Sequence, residues 1–249
     1  MFQSIRVRKS QGTQFIPDPR QAVPLGFRGK PMIAQADCAP DCQRCVDACP
    51  SQAITLHPVQ IDLGRCVLCG DCEPVCPSQK IRFNCDFKLA STARGGLTVS
   101  AARPDIDPVQ VSAALHRRYG RSLKLRSVSA GGCNGCEMEI NALGNVNFDL
   151  GRYGVEIVAS PRHADALVLS GPITRNMAQA LQICWDAMPE PRLLIAVGAC
   201  AISGGLFADS DALDRSFLDR VTPDLYVPGC PAHPLTFISG ILDLLGIAS

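Results

Sequence analysis

The feature that most constrains this chain is a pair of cysteines, Cys133 and Cys136, in a glycine-rich turn. The preceding residues, Leu123–Ala130, have the composition of a strand, and a helix is predicted to begin at Glu137. Backbone N–H groups converge where a strand gives way to a helix, and they would stabilise thiolates or an anionic cluster. Because redox-active dithiols and zinc sites share the CxxC spacing, the motif alone leaves the chemistry open.

Two cysteines far away in the sequence help to identify the chemistry of the CxxC motif. Cys200 ends the apolar run 193–199, and Cys230 ends the short run 225–229. Ligands of parallel α/β sheets bind at the carboxyl ends of the strands. We therefore expect Cys133, Cys136, Cys200 and Cys230 to gather at one sheet edge as a four-cysteine metal site.

Strand and helix patterns alternate from residue 123 onward, which favours an α/β domain with a parallel sheet covered on both faces. The expected architecture is flavodoxin-like. The predicted strands are Leu123–Ala130, Val155–Ser160, Ala164–Gly171, Arg192–Gly198 and Leu225–Val227. The predicted helices are Glu137–Val146, Thr174–Met188, Asp211–Arg220 and Pro234–Leu245.

Several motifs in this half resemble one family, the small subunit of membrane-associated, energy-converting [NiFe] hydrogenases of the formate-hydrogenlyase type. That subunit is related to the cluster-bearing B subunit of respiratory complex I. The motifs are GGCNGCEMEI at 131–140, SPRHAD at 160–165, SGPITRNM at 170–177, GAC at 198–200, SGGLF at 203–207 and PGCP at 228–231. The resemblance implies a [4Fe–4S] cluster on the four cysteines, proximal to a [NiFe] site on another chain.

The N-terminal half contains an internal repeat of cysteine runs, each ending in Cys-Pro. The runs resemble the bacterial two-cluster ferredoxin pattern, in which the fourth cysteine of each run binds the other cluster. The resemblance implies a small α+β domain with one cluster on Cys38, Cys42, Cys45 and Cys76, and another on Cys66, Cys69, Cys72 and Cys49. Three residues separate Cys38 from Cys42, one more than the pattern has, so Cys38 would close its cluster through a bulged loop. Zinc binding is the alternative.

Four segments are predicted. Residues 1–31 are proline-rich and predicted to be an extended arm that covers another surface; residues 32–86 form the ferredoxin-like domain. Residues 87–122 are predicted to be a linker, polar and small over 91–103, followed by a docking helix over Val109–Tyr119. Residues 123–249 form the hydrogenase-type domain.

Composition indicates the redox compartment of the chain and the kind of partner it binds. Fourteen cysteines without an apolar signal region favour metal thiolates in a reducing compartment over disulfides. No apolar run is long enough to span a bilayer. The net charge is +6 over residues 1–122 and −5 over 123–249, and without a nucleic-acid motif this uneven distribution favours a protein partner or an anionic membrane surface.

Other side chains have more than one interpretation. Cys85 and Cys184 fall outside the ligand spacings, and Cys184 is expected to be a buried thiol. Glu137 and Glu139 are candidate relay groups or ordinary first-turn helix acids. Arg162 and His163 are candidates for cluster tuning, partner contact or a surface turn. His233 is expected to be exposed.

These patterns together predict an oxidoreductase subunit that relays electrons through three [4Fe–4S] clusters. Its expected partners are a [NiFe] large subunit, membrane-anchoring subunits and a redox donor or acceptor, with a peripheral location on the cytoplasmic face of the inner membrane. One alternative is a complex I-like quinone oxidoreductase subunit, although that branch has adjacent cysteines where this chain has Asn134 and Gly135 between the thiols. A zinc-stabilised assembly scaffold is the alternative from another class.

Overall fold

The computed structural model describes residues 2–110, 113–120 and 122–247. The strands are β1 Pro31–Ile33, β2 Ile54–Thr55, β3 Gln60–Asp62, β4 Ile81–Phe83, β5 Thr98–Ser100, β6 Leu123–Ser129, β7 Val155–Ile157, β8 Ala166–Ser170, β9 Leu193–Val197 and β10 Leu225–Val227. The α-helices are α1 Phe2–Gln11, α2 Arg44–Asp47, α3 Ala113–Tyr119, α4 Gly135–Ala142, α5 Arg175–Asp186, α6 Gly198–Ser203, α7 Ser216–Arg220 and α8 Pro234–Leu245. Short 3₁₀ turns lie at Arg94–Leu97, Leu150–Tyr153, Pro161–His163 and Gly205–Phe207.

The C-terminal half is built on a five-stranded parallel sheet in the order β10-β9-β8-β6-β7. Numbered from the first strand of this half, this is the flavodoxin-like order 2-1-3-4-5. The predicted α/β class and architecture are confirmed. All five carboxyl ends lie at one edge, so the loops after β6, β9 and β10 meet there.

Strands β8, β9 and β10 are buried on both faces, because alternate side chains point to opposite sides, whereas the edge strand β7 exposes Glu156 and Ile157. Ala166 and Val168 pack with α3, α4 and α8, whereas Leu167 and Leu169 pack with α5 and α7 on the other face. The second of these cores continues without a break into the N-terminal half, where it includes Ile61. The two halves of the chain therefore share one hydrophobic core.

The N-terminal half is ferredoxin-like, with a three-stranded antiparallel sheet β2-β3-β5 and a two-stranded pair β1-β4. Its two cysteine runs have the same backbone conformation at equivalent positions. Asp41 and Leu68, each just before a cysteine, have positive φ, and so do Gln52 and Gln79, each three residues after a Cys-Pro cysteine. The sequence repeat is therefore also a repeat of conformation.

The prediction of a linker over 91–103 is wrong. Ser91 pairs with Tyr226 at the edge of the C-terminal sheet, and β5 pairs with β3. Leu97 and Val99 are fully buried. Small and polar residues suggested a linker, but tertiary burial overrides local composition. The segment joins the two sheets as part of both.

The predicted extended arm is wrong over its first residues, since Phe2–Gln11 forms α1. The first proline is Pro17, so the prolines do not restrict this stretch. Of the helix predicted over Val109–Tyr119, the structure shows Ala113–Tyr119 as α3, while residues 109–110 are not helical. Residues 111 and 112, within the predicted helix, and residue 121 lie outside the described residues.

A matched pair of leucines tests whether 91–103 is structural. We expect Leu97→Ala to lower the free energy of unfolding by about 2–5 kcal/mol, because it leaves a cavity in the shared core. Leu25→Ala, at a side chain 93% exposed, should change it by less than about 0.5 kcal/mol. Denaturant unfolding measures both, and equal small effects would restore the linker interpretation.

Candidate functional site

Four cysteines lie near one another at the carboxyl edge of the parallel sheet. Cys133 follows β6, Cys136 lies in the first turn of α4, Cys200 lies in α6 directly after β9, and Cys230 follows β10. Burial is the main cause that raises the pKa values of Cys136, Cys200 and Cys230. Smaller repulsion from Cys200 and Cys230 acts on Cys136, and smaller repulsion from Cys133 acts on Cys200 and Cys230, which shows that the four thiols lie close together. We call these four residues set 3.

The backbone around set 3 is shaped to admit the thiols. Asn134 has a left-handed φ of 69° and caps α4, which turns the chain between its two cysteines. Gly198 has φ +86°, and a Cβ there would lie 2.5 Å from the Cys136 sulfur; a Cβ on Gly205 would lie 2.9 Å from the Cys200 sulfur. Side chains at these glycines would occupy the space of the thiols.

Burial opposes thiolate formation in set 3. It is the largest cause that raises the pKa of Cys136 to about 12, and that of Cys200 to about 11. The backbone N–H of Ala232 donates to Cys136 and acts in the opposite direction. Four thiols crowded in this way need a compensating positive charge to ionise together.

Arg215 supplies part of that charge and was not foreseen from the sequence. Its half-buried guanidinium donates to the carbonyls of Pro172, Cys200 and Ala201 at 2.8–3.0 Å. Burial lowers its pKa, while the nearby Cys200 thiolate raises it. Arg215 lies just before α7, and the residues around it in the sequence form no motif that would identify it as part of a site.

Glu137 is an anchor between α4 and β8. The Ser170 hydroxyl donates to its carboxylate at 2.7 Å. Although burial opposes ionisation, hydrogen bonds from Ser129 and Ser170 hold the pKa of Glu137 below its ordinary value. Burial raises the pKa of Glu139. The position of Glu137 fixes the start of α4, and with it Cys136.

The eight N-terminal cysteines meet in two crossed groups. Burial is the main cause that raises the pKa of Cys45, and smaller repulsion from the nearby Cys76 and Cys38 adds to it. Cys38 and Cys42 line one cavity of about 480 Å³. We call Cys38, Cys42, Cys45 and Cys76 set 1.

The other group contains the fourth cysteine of the first run. Burial, with smaller repulsion from Cys49 and Cys69, raises the pKa of Cys66 to about 12. Burial also raises the pKa of Cys72 to about 12, with smaller repulsion from Cys66, Cys69 and Cys49. We call Cys49, Cys66, Cys69 and Cys72 set 2. Cys49 and Cys76 thus each lie with the opposite run.

Backbone N–H groups point at the sulfurs of both runs. Ala53 donates to Cys49 at 3.2 Å, and Lys80 donates to Cys76 at 3.3 Å, the same offset in both copies of the repeat. Leu68 donates to Cys66 at 3.4 Å. Such bonds to sulfur are one of the factors that set the potentials of iron–sulfur centres.

The extra residue before Cys42 lies at the surface. Cys38 is exposed, whereas its counterpart Cys66 is buried. Asp41 keeps the positive φ of its counterpart Leu68, so the added length is taken up on the Cys38 side of the loop.

Set 2 lies close to the C-terminal sheet. A Cβ on Gly64, two residues before Cys66, would lie 2.8 Å from Cγ2 of Ile202 in α6. Arg94 forms a two-pronged salt bridge to Asp62 with both N···O distances 2.7 Å, and its guanidinium also lies against Gly64. The loop of set 2 therefore packs against the helix that holds Cys200.

The remaining candidates lie away from the sets or differ from expectation. Arg162 and His163 precede β8, at the sheet edge opposite to set 3, so the prediction that they tune its cluster is wrong. His233 is half-buried rather than exposed, and its Nδ1 accepts from the N–H of Leu235. Cys184 packs half-buried against the core, and Cys85 is exposed.

The donor sets fit iron–sulfur clusters. Within the described part of the chain, no group of three or more His, Cys, Asp or Glu side chains is arranged to enclose a single metal ion. Each set consists of cysteine thiols alone, and N–H donors point at several of the sulfurs. Both features suit a polynuclear, cationic iron core with thiolate ligands.

Comparison with known proteins agrees with this chemistry. Residues 133–244 match the family model described as NADH ubiquinone oxidoreductase, 20 Kd subunit, and residues 37–86 match a 4Fe-4S dicluster domain.

Among helices of the described residues, none is long and apolar enough to cross a bilayer.

Three curated relatives show the range of the family. Formate hydrogenlyase subunit 7 of Escherichia coli is 40% identical over 55% of this chain and 54% of its own length. The probable membrane-bound hydrogenase subunit mbhJ of Pyrococcus furiosus is 39% identical over 52% of this chain and 78% of its own length. The B subunit of the NADH-quinone oxidoreductase of Heliobacterium modesticaldum is 45% identical over 44% of this chain and 63% of its own length.

The match thus spans about half of the E. coli relative but most of the P. furiosus one. The family-model match and the identity to the P. furiosus relative show that the chain belongs to the family of the NADH ubiquinone oxidoreductase 20 kDa subunit, and a 4Fe-4S dicluster domain precedes the family domain.

Proposed function

We propose that this chain is the electron-transfer subunit of a multi-subunit [NiFe] hydrogenase whose [NiFe] site lies on a separate large subunit. The observation that supports this most is the placement of the sets. Set 3 lies at a sheet edge where Cys133 and Cys230 are exposed, and the loop of set 2 packs against α6 behind it. Relatives are named as hydrogenase subunits.

We assign one [4Fe–4S] cluster to each set, with all twelve cysteines as ligands. When bound, such clusters supply reversible one-electron chemistry. The chain contributes buried thiols, N–H donors to sulfur and the Arg215 guanidinium. We also keep the division into a ferredoxin-like domain at 32–86 and a hydrogenase-type domain at 123–249 as a proposal.

The proposed order is set 3, then set 2, then set 1. Set 2 contacts the C-terminal domain through Gly64, and set 1 opens to the surface at Cys38. Leu206 and Phe207 are exposed apolar side chains directly after Gly205, which borders Cys200. We assign this patch to the contact with the large subunit, and the Cys38 end to a redox donor or acceptor. Membrane-anchoring subunits would hold the complex on the cytoplasmic face of the inner membrane.

A complex I-like quinone oxidoreductase subunit is the second candidate, favoured by the 45% identity to the B subunit of an NADH-quinone oxidoreductase. The two residues between Cys133 and Cys136 favour the hydrogenase branch instead. Hydrogen-dependent dye reduction by the purified complex separates the two. Quinone reduction without any hydrogen-dependent activity would select the second candidate.

Metal content tests the ligand assignment. Anaerobically purified chain should contain about 12 irons with matching acid-labile sulfide, four for each set. Cys85→Ser and Cys184→Ser should leave that content unchanged, because neither thiol belongs to a set. Zinc without sulfide would support the scaffold alternative, and loss of a whole cluster from either control would overturn the sets.

Replacing single ligands in the intact complex tests the order. Cys230→Ser should abolish hydrogen-linked transfer to any external acceptor while hydrogen–deuterium exchange at the large subunit persists. Cys69→Ser should block the natural acceptor but spare small dyes that reach set 3 directly. Cys184→Ser serves as the matched control. If Cys69→Ser stopped both acceptors and Cys230→Ser stopped neither, the order would be reversed.

A further inference from the structure

The segment 15–31, which we call the strap, contacts both domains of its own chain. At its start it lies on the C-terminal domain. The N–H of Ile16 donates to the carbonyl of Asn147 at 2.9 Å, and Arg152 donates to the carbonyl of Ile16 at 2.5 Å. Arg20 forms a salt bridge of 2.9 Å with Asp243 in α8.

At its end the strap lies on the ferredoxin-like domain. The N–H of Gly29 donates to the carbonyl of Asn84 at 2.7 Å, and the N–H of Lys30 donates to the carbonyl of Asp86 at 3.1 Å. The pairing of β1 with β4 continues from there. The strap is therefore anchored on one domain at each end.

Two adjacent strap residues, Phe27 and Arg28, lie between the ligand loops. The guanidinium of Arg28 donates to the carbonyl of Leu68 at 3.1 Å and to the carbonyl of Cys69, in the loop of set 2. A Cβ on Gly70 would lie 2.6 Å from the Arg28 side chain, so this loop and the arginine are closely packed.

The ring of Phe27 contacts the loop of set 3. It lies 4.8 Å, centroid to centroid, from the ring of His233, three residues after Cys230. His233 in turn caps α8 through Leu235 and meets the ring of Phe148 at 6.3 Å. The cap and the second ring hold the imidazole in place. One dipeptide thus contacts the loop of Cys69 on one side and the loop of Cys230 on the other.

We propose that the strap is an internal clamp in which Phe27 and Arg28 act as positioning residues, fixing the loop of set 2 against the loop of set 3. The sequence predicts that this segment covers another surface, and the structure places that surface on the same chain. Three of its side chains make contacts within the chain, Phe27 on His233, Arg28 on backbone carbonyls and Arg20 on Asp243, whereas Val23 and Leu25 are exposed. Any effect of the clamp on electron transfer between sets 2 and 3 rests on the proposed function, but the clamp itself does not.

The test uses the full-length holoprotein with the double variant Phe27→Ala/Arg28→Ala. The matched control is Phe2→Ala/Arg8→Ala, which removes the same two residue types from α1, where no side chain is buried. Amide hydrogen exchange should become faster in the loops 67–72 and 230–235 of the strap variant only. Wild-type exchange rates in both loops would overturn the clamp.

Magnetic coupling between reduced clusters gives a second readout, because dipolar splitting falls steeply with distance. In the strap variant, the electron paramagnetic resonance splitting between sets 2 and 3 should be lost or narrowed. The splitting between sets 1 and 2, which lie within one domain, should be unchanged, and so should the iron content. Splitting between sets 2 and 3 that persists at its wild-type width would contradict the proposed positioning role.

Conservative changes separate positioning from general instability. Arg28→Lys keeps a cation that can donate to the carbonyls, and Phe27→Leu keeps most of the apolar contact, so both should recover much of the wild-type exchange protection. If these two conservative variants lose as much exchange protection as the double alanine variant, the clamp is wrong. Zinc without sulfide in the wild type would defeat the proposed function, and the exchange readout would still decide on the clamp.

Discussion

Burial of crowded thiols is the constraint on which much of this structure depends. Burial raises the pKa of Cys66, Cys72 and Cys136 to about 12, and neighbouring thiols add to that effect. Without a cation, each set would be stable only with its thiols protonated. Bound iron would stabilise the thiolate form and offset the cost of burying it, so metal binding and folding are expected to be coupled.

The same constraint explains features that otherwise look unrelated. Gly198 and Gly205 leave room for sulfur, N–H donors of Ala53 and Lys80 point at ligand sulfurs, and Arg215 brings a guanidinium to the backbone of Cys200. Each places either space or positive potential beside a thiol. Backbone groups do most of this, which is why the ligand loops are rich in residues with positive φ.

The shared core explains how two domains of different architecture act as one body. Residues 91–100 pair with the edge of one sheet and form a strand in the other, and the strap returns across both. The Asp62–Arg94 salt bridge adds a polar contact beside the loop of set 2. Electron transfer over fixed distances requires this kind of rigidity, whereas a flexible linker would let the separation vary.

The sequence by itself determined the parallel α/β fold, the internal repeat and the cysteines worth considering. These follow from local periodicity and spacing, and the carboxyl-edge rule was enough to bring Cys200 and Cys230 to the CxxC turn. Tertiary structure alone decided that residues 91–103 are core, that Arg215 borders Cys200, that His233 is covered, and that the strap contacts its own chain. Each of these depends on contacts between residues far apart in sequence, such as Leu97 with the shared core or Phe27 with His233. Local composition has no information about such contacts, because the partner that buries a residue is absent from its neighbourhood in the chain.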